Sequence, residues 1–326
     1  MSHPPVRVLV TGATGMVGRI LCEQLAQSGC IVRAALRTDG PLPMAIAEKT
    51  LIGEITGASD WTEALSGVDY VVHAAARTHV LHDTAANSGL YTETNAKSTR
   101  RLAEMAARSG VRRFVYLSSI KVNGEESGAR SFLSTDPPDP KDAYGRSKLE
   151  GEQALLDIAS AHGMEAAIVR PPLVYGPGVR ANFLRLMRWV DFQRPLPLGA
   201  VRNRRSLVSV WNLVELLLTL LRHEAAPGRV WMVSDGVDLS TAQLVERLGR
   251  ALRRSPRLVA VPESVLRFSA GLFGRGAEFA RLCGSLTVDV GETRRLLGWS
   301  PAITVDEGLA RTADWYRSTT PEVPPK

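Results

Sequence analysis

The chain has 326 residues, 44% of them hydrophobic and 22% charged, which is enough apolar material for a large buried core. That composition excludes wholesale disorder, and the three cysteines (Cys22, Cys30, Cys283) lack the number and spacing of a disulfide framework or a metal site. Lys and Arg total 40 against 33 acids, a net charge of +7; it suits an anionic ligand, but its densest cluster, Arg202, Arg204 and Arg205, is too short for a nucleic-acid arm.

Near the N-terminus, Val6–Val10 reads as a buried parallel strand, apolar apart from Arg7. A helical stretch follows and stops near Gly29. Ile31–Leu36 and Val68–His73 read as further strands, Asn95–Ser109 as a helix closed by Gly110, and Arg113–Ser118 as a strand. Ala143–His162 is a helix closed by Gly163, followed by the strand Ala166–Val169. Strands alternating with helices at this spacing imply right-handed crossovers, hence an α/β, doubly wound parallel sheet of Rossmann type. After Arg170 the prolines 171, 172, 177, 195 and 197 break the rhythm, and Ser240/Gln243 and Thr304/Glu307 read as capping boxes. The expected layout is a dinucleotide-binding part over 1–170, a smaller mixed substrate lobe over 171–320 interleaved with it, and a frayed tail over 321–326. No basic segment followed by an apolar stretch marks an export signal, and the longest apolar run, Leu213–Leu221, carries Glu215 and Thr219. It falls far short of the ~20 residues that span a bilayer. The expectation is a soluble cytoplasmic protein with no membrane span and no nucleic-acid partner.

The first strand runs directly into Thr11-Gly12-Ala13-Thr14-Gly15-Met16-Val17-Gly18, which opens the first helix. Gly12 permits a tight turn, Gly15 lets backbone approach a pyrophosphate, and Gly18 allows close helix–sheet packing. A phosphate would then sit on the free N–H groups and positive dipole end of the helix. At the end of the second strand an NAD site usually places an acid; here Leu36 and Arg37 stand there. Arg37 fits a 2′-phosphate, so NADP(H) is favoured and NAD(H) remains possible. Glu54 either contacts adenine or is a surface acid.

Tyr144 and Lys148 lie four apart on one face of a predicted helix. A nearby ammonium would pull the phenol's pKa down from about 10, giving a proton donor and acceptor for alcohol–ketone interconversion. Ser119, just past a strand at the carboxyl edge, would hydrogen-bond the same oxygen.

Together Thr11-Gly-x-x-Gly-x-x-Gly18, His73-Ala-Ala-Ala76, Ser118-Ser119, Tyr144-x-x-x-Lys148 and Arg170-Pro-Pro-Leu-Val-Tyr-Gly-Pro-Gly178 resemble the extended short-chain dehydrogenase/reductase family. The likeness runs on to Leu297-Gly-Trp-x-Pro301 and the helix around Trp315-Tyr316. It implies an enzyme acting on nucleotide-linked sugars, especially UDP-hexoses, with Ser119, Tyr144 and Lys148 as catalytic residues and no metal. The cofactor would meet Gly12, Thr14, Gly15, Met16, Val17, Gly18, Arg37 and Glu54 from the first half of the site. Ala74, Ala75, Ala76, Asn95 (through a relay water), Tyr144, Lys148 and Pro171 complete it. On the substrate side the resemblance points to Ser119, Lys121, Asn182 and Arg205, the last two at the diphosphate. Ser206 and Ser209 depart from the family's pattern after that arginine. His79, and His82 beside it, either line the sugar pocket or lie on the surface.

The family's 4,6-dehydratases carry acids after the catalytic Ser or Thr; Ile120 and Lys121 occupy those places, so dehydration lacks its acid and base. The runs Ser118–Glu125, Ala181–Trp189 and Pro197–Ser206 resemble the UDP-glucose 4-epimerase-like subgroup, which includes 4-reductases of UDP-4-keto-6-deoxy-N-acetylglucosamine. The expectation is such a reductase, with a 4-epimerase holding NAD as the alternative and a non-catalytic dinucleotide sensor as a minor one. The resemblance also implies a homodimer built on the helices 95–109 and 143–162.

Overall fold

The computed structural model describes residues 5–40, 42, 46–78, 85–272 and 276–319. Its centre is a seven-stranded, wholly parallel sheet in the order β3-β2-β1-β4-β5-β6-β9. The strands are β1 (Arg7–Thr11), β2 (Ile31–Leu36), β3 (Glu48–Leu51), β4 (Tyr70–His73), β5 (Arg113–Leu117), β6 (Glu165–Arg170) and β9 (Arg229–Met232). Val8, Leu9 and Val10 are fully buried, because helices cover both faces of the sheet and a strand so enclosed has no solvent side. On one face α1 (Met16–Gln27) and α7 (Val210–Arg222) close a core around Leu21, Leu25, Leu213 and Leu217. On the other, α4 (Ser98–Arg108) and α5 (Ala143–His162) pack Leu102, Ala106, Leu155 and Ile158 over Phe114 and Ile168. A short α2 (Thr62–Leu65) covers the end of that layer. Gly29, Gly110 and Gly163, the expected helix stops, all have positive φ.

The helix expected from Asn95 begins ten residues earlier. It runs as α3 (Ala85–Tyr91), a π-helical turn (Thr92–Lys97) and then α4. Asn87, Ser88 and Gly89 are weak helix formers, so periodicity does not reveal this part; packing against α5 holds it.

Beyond β6 a second, two-stranded parallel sheet pairs β7 (Leu173–Tyr175) with β8 (Leu207–Ser209). Helix α11 (Gly291–Leu297) returns to pack beside β9, while around the small sheet lie α6 (Ala181–Asp191), α8 (Thr241–Leu252), α9 (Glu263–Leu272), α10 (Gly276–Cys283) and α12 (Val305–Thr319). Their core is Tyr175, Phe183, Met187, Leu244, Leu248 and Leu309. Buried Asp235 ties this region to the main sheet, accepting hydrogen bonds from the Tyr175 hydroxyl, the Ser209 amide and the Asn212 side chain. The Ser240/Gln243 capping box forms in both directions. Thr304 accepts from the Glu307 amide, but Glu307 does not reach back, because its carboxylate pairs with Arg311. Among the described residues no helix is long and apolar enough to cross a membrane.

Candidate active site

The strand order reverses between β1 and β4, and ligands of open α/β sheets bind outside the carboxyl ends at such a point. The glycine turn stands there. Gly12 has φ +70°, and a Cβ on it would stand 2.8 Å from the Ala75 amide nitrogen and 2.9 Å from the Ala74 carbonyl carbon. A Cβ on Gly18 would lie 2.0 Å from the Gly12 carbonyl oxygen, so the turn folds onto its own helix and onto the segment after β4. Gly15 and Thr14 are exposed. The first turn of α1 holds no acid, and no side chain caps its amides, which leaves those N–H groups for an anion. This cradle fits a dinucleotide pyrophosphate. Met16 and Val17, half-buried, follow it. At the far end, the Arg37 guanidinium stands 3.6 Å from the Glu54 carboxylate, both well exposed. Pro171 is brought beside the turn after β5, its carbonyl accepting from the Ile120 amide at 3.0 Å.

Ser119 caps a single 3₁₀ turn after β5 (Ile120–Val122), accepting from the Lys121 amide. It lies near Tyr144 on α5 and works to lower that phenol's pKa. Asp142 starts α5 by accepting from the Gly145 amide at 2.7 Å, which fixes where Tyr144 leaves the helix. Tyr91 packs edge-on against the Tyr144 ring, with centroids 5.8 Å apart.

Lys148, one turn on, is 1% exposed. Its ammonium donates to the Leu117 carbonyl at 2.7 Å and sits 4.1 Å above the Tyr116 ring. Burial lowers its pKa to about 7, against the opposing pull of Glu152. Tyr144 departs from expectation: its pKa is pushed up to about 12, not down. Burial is the cause, with Asp142 and Tyr91 adding to it and the Ser119 hydrogen bond opposing it. The lysine engages Leu117 and Tyr116 instead, so at neutral pH the phenol is a protonated donor.

Below the lysine, Tyr116 stacks on His73 with centroids 5.4 Å apart. His73 is fully buried, and burial lowers its pKa to about 3, so the ring is neutral. The Thr99 hydroxyl donates to the Asn95 carbonyl and so accepts from His73 Nε2; Nδ1 of the neutral ring is then the acceptor of the Thr11 hydroxyl, which itself accepts from the Ala75 amide. The cradle and Lys148 are thus joined through one satisfied core network. The Asn95 side chain, 1% exposed, is already engaged: it accepts from the Arg77 amide and donates to the Arg77 carbonyl and the Ser147 hydroxyl. Ala76 is half-buried in the same loop.

Of the substrate-side candidates, Lys121 is held between Asp142 at 2.5 Å and Glu125 at 2.7 Å, so it presents a neutralised cation. Arg205 is no loose surface cation. Its backbone bridges Leu239, its side chain donates to the Gly284 carbonyl at 2.9 Å, and burial lowers its pKa while Glu125 and Glu126 oppose. Asn182 is exposed on the first turn of α6. His79 and His82 lie outside the described residues. Among those described, no group of His, Cys, Asp and Glu has the arrangement of a metal site.

Sequence reasoning missed Glu152 and the role of Arg170. Glu152 extends the Tyr144–Lys148 row by one more turn, and that continued spacing was the available signal. It is 2% exposed and receives Arg170 through two nitrogens, at 2.5 and 3.0 Å, together with the Ser118 hydroxyl. The third guanidinium nitrogen donates to Asn123.

A parallel switch-point sheet with a Ser–Tyr–Lys cluster beside a phosphate cradle defines an NAD-using oxidoreductase of the short-chain dehydrogenase/reductase type. The chain belongs to the NAD dependent epimerase/dehydratase family, whose sequence profile matches residues 8–234. A UDP-glucose 4-epimerase of Vibrio cholerae is 42% identical over 321 residues, covering 96% of each chain. The N-acetyl-alpha-D-glucosaminyl-diphospho-ditrans,octacis-undecaprenol 4-epimerase of Escherichia coli O157:H7 is 26% identical, covering 94% of each. Among solved structures, MoeE5 in complex with UDP-glucose and NAD superposes with a TM-score of 0.77 at 26% identity, over 96% of this chain and 99% of that one.

Proposed function

We propose that this protein transfers a hydride at C4 of a UDP-linked hexose, and that its net reaction is 4-epimerisation on NAD. The observation that carries this reading is the placing of Ser119 and Tyr144 together at the carboxyl edge of β5 beside the Gly12–Gly18 cradle, close enough for Ser119 to lower the phenol's pKa. The full-length likeness to a UDP-glucose 4-epimerase supports the choice of reaction, and a cytoplasmic location goes with that substrate class. Glu54 supports NAD over the NADP expected from Arg37 alone, since a carboxylate 3.6 Å from the guanidinium answers part of the charge a 2′-phosphate would need.

The Gly12–Gly18 cradle would hold NAD, which would supply the hydride acceptor and donor for C4. The chain's own part is to move the proton. Because the Tyr144 phenol rests protonated, it must first release its own proton to solvent; as the phenolate it takes the proton from the C4 hydroxyl and then gives it back to the C4 oxygen, while Ser119 donates a hydrogen bond to the same oxygen. Lys148, its pKa lowered to about 7, shares a proton with its surroundings under this end of the cleft and is only partly charged at neutral pH. Arg205 and Asn182 would meet the diphosphate, the guanidinium gripping two oxygens at once. Ile120 and Lys121 supply no acid–base pair for dehydration.

A second reading is a 4-ketoreductase that uses NADPH once, and one observation favours it: Tyr144 is held protonated, ready to donate to a ketone oxygen. Denaturing the purified protein and identifying the released nucleotide separates the two. Near one NAD per chain is the expected result. An empty site that consumes NADPH with a 4-keto UDP-sugar selects the reductase, and turnover of neither substrate class overturns the UDP-hexose reading.

We also infer a homodimer through α4 and α5. Their outer faces form a groove of about 310 Å³ whose rim carries Lys97 and Arg100 against Glu150 and Asp157, a pattern complementary to its own copy across a twofold axis. Light scattering should read twice the 35.4 kDa chain mass; a monomer's value would contradict the inference.

A further inference from the structure

Helix α9 carries an apolar stripe that the rest of the molecule leaves open. Val265, Phe268 and Leu272 are 53%, 70% and 69% exposed; their spacing of three and four places them on one side of the helix. Leu266, by contrast, packs into the lobe core. Phe268 and Leu272 line an open cavity of about 640 Å³ with Ser264, Arg267 and Gly271. Single exposed apolar residues are ordinary; a contiguous row of this size marks a contact surface.

The charge beside the stripe is strongly positive. Residues 244–267 hold six arginines and two glutamates, so this short run carries four of the seven surplus charges of the whole chain. Arg253, Arg254, Arg257 and Arg267 are all exposed. Arg254 pairs with Asp191 and Arg267 rests on the Phe279 ring, whereas Arg253 and Arg257 face no carboxylate within ion-pair distance among the described residues. Arg253 occupies a left-handed backbone position, φ +57°, which normally favours glycine. The turn is bonded to its neighbours: the Leu196 amide donates to the Arg257 carbonyl, the Val259 amide to the Leu196 carbonyl and the Gly199 amide to the Val259 carbonyl, and the Arg202 amide donates to Glu263 on α9. Val259, Trp189 and Phe192 are exposed too, the Phe192 ring beneath the Arg194 guanidinium.

We infer that α9 and the arginine-bearing turn before it dock the protein on an anionic lipid bilayer. Phe268 and Leu272 enter the boundary between headgroups and acyl chains, and the guanidinium groups lie on the lipid phosphates. The observations favour this occupant over two others. A twofold contact with a second copy would set this positive patch against itself. A nucleic acid would answer the charge but leave an aliphatic and phenyl row without an apolar partner. The inference rests on this surface alone and stands whichever reaction the cleft performs.

The test is sedimentation of the full chain with vesicles of phosphatidylcholine alone or mixed with phosphatidylglycerol, at low and high salt. Binding to the anionic vesicles is expected to exceed binding to neutral ones by about ten-fold or more, and to weaken as salt screens the charges. The double variant F268S/L272S should lose about ten-fold in partitioning with an unchanged circular-dichroism spectrum and unchanged nucleotide content. R253Q/R257Q should reduce the preference for anionic vesicles. Protein that stays in solution with anionic vesicles at low salt overturns the inference, as does equal partitioning of F268S/L272S. A smaller particle mass for F268S/L272S assigns the stripe to a second copy, and binding to a DNA duplex but not to vesicles assigns the charge to nucleic acid; either result also overturns it.

Discussion

The variant Tyr144→Phe is expected to lower kcat by about 10²–10⁴-fold, the usual contribution of a positioned proton donor and acceptor. The change removes one oxygen and leaves the ring in contact with Tyr91, so the cleft keeps its shape and NAD content should stay at the wild-type value. Ser119 then remains as the hydrogen-bond donor to the C4 oxygen but has no group to which the proton can pass. The measurement is turnover of a UDP-hexose set against bound nucleotide in the same preparation. Wild-type turnover with a full site would remove Tyr144 from the chemistry and leave the proposed reaction without its base.

Arg170→Met is expected to cost about 3–5 kcal/mol of folding stability, because it strands Glu152 as an unpaired buried charge. The pair is almost entirely enclosed, with side-chain exposures of 5% and 3%. Desolvation has therefore already been incurred by both ions, and only their mutual attraction offsets it. Removing both, in Glu152→Met/Arg170→Met, should recover most of the loss, since an apolar pair of similar volume has no charge to solvate. Urea unfolding of the two single variants and the double variant gives the coupling directly. Additive losses would show that the two side chains stabilise the fold independently. Because Glu152 also faces Lys148 and raises its pKa, the loss bears on the site as well as the fold.

The sheet was readable because its signals are local. Val8–Val10 announces a doubly covered strand, Gly12 and Gly18 a turn folded back on its own helix, and Gly163 the end of α5. The placing of Tyr144 and Lys148 on one helix was readable for the same reason: a spacing of four on a helix is a statement about direction that needs no tertiary knowledge. What escaped was set by contacts distant in sequence. Nothing near Tyr144 reports that Lys148 will face Leu117 and Tyr116, so the sign of the tyrosine's shift followed from burial that only packing decides. Arg37 by itself suggested a phosphate site; Glu54, seventeen residues on, changes its meaning. Lys121 likewise read as a free substrate ligand until Asp142 and Glu125 were seen to hold it. The row 85–91 gave no helical periodicity because its partner α5, not its own residues, makes it helical.

The π-helical turn at Thr92–Lys97 has a consequence for chain length. It fits one residue more into a turn than an α-helix does, and each residue of an α-helix turns the next side chain by about 100°. Everything on the N-terminal side is therefore out of phase with α4 by that amount, and Tyr91 owes its place over the catalytic phenol to this offset. A homologous chain one residue shorter between 92 and 97 would bring a different side chain to that spot while keeping every catalytic residue. Counting residues in this window, rather than comparing their identities, is thus the way to tell which relatives share the roof of this cleft.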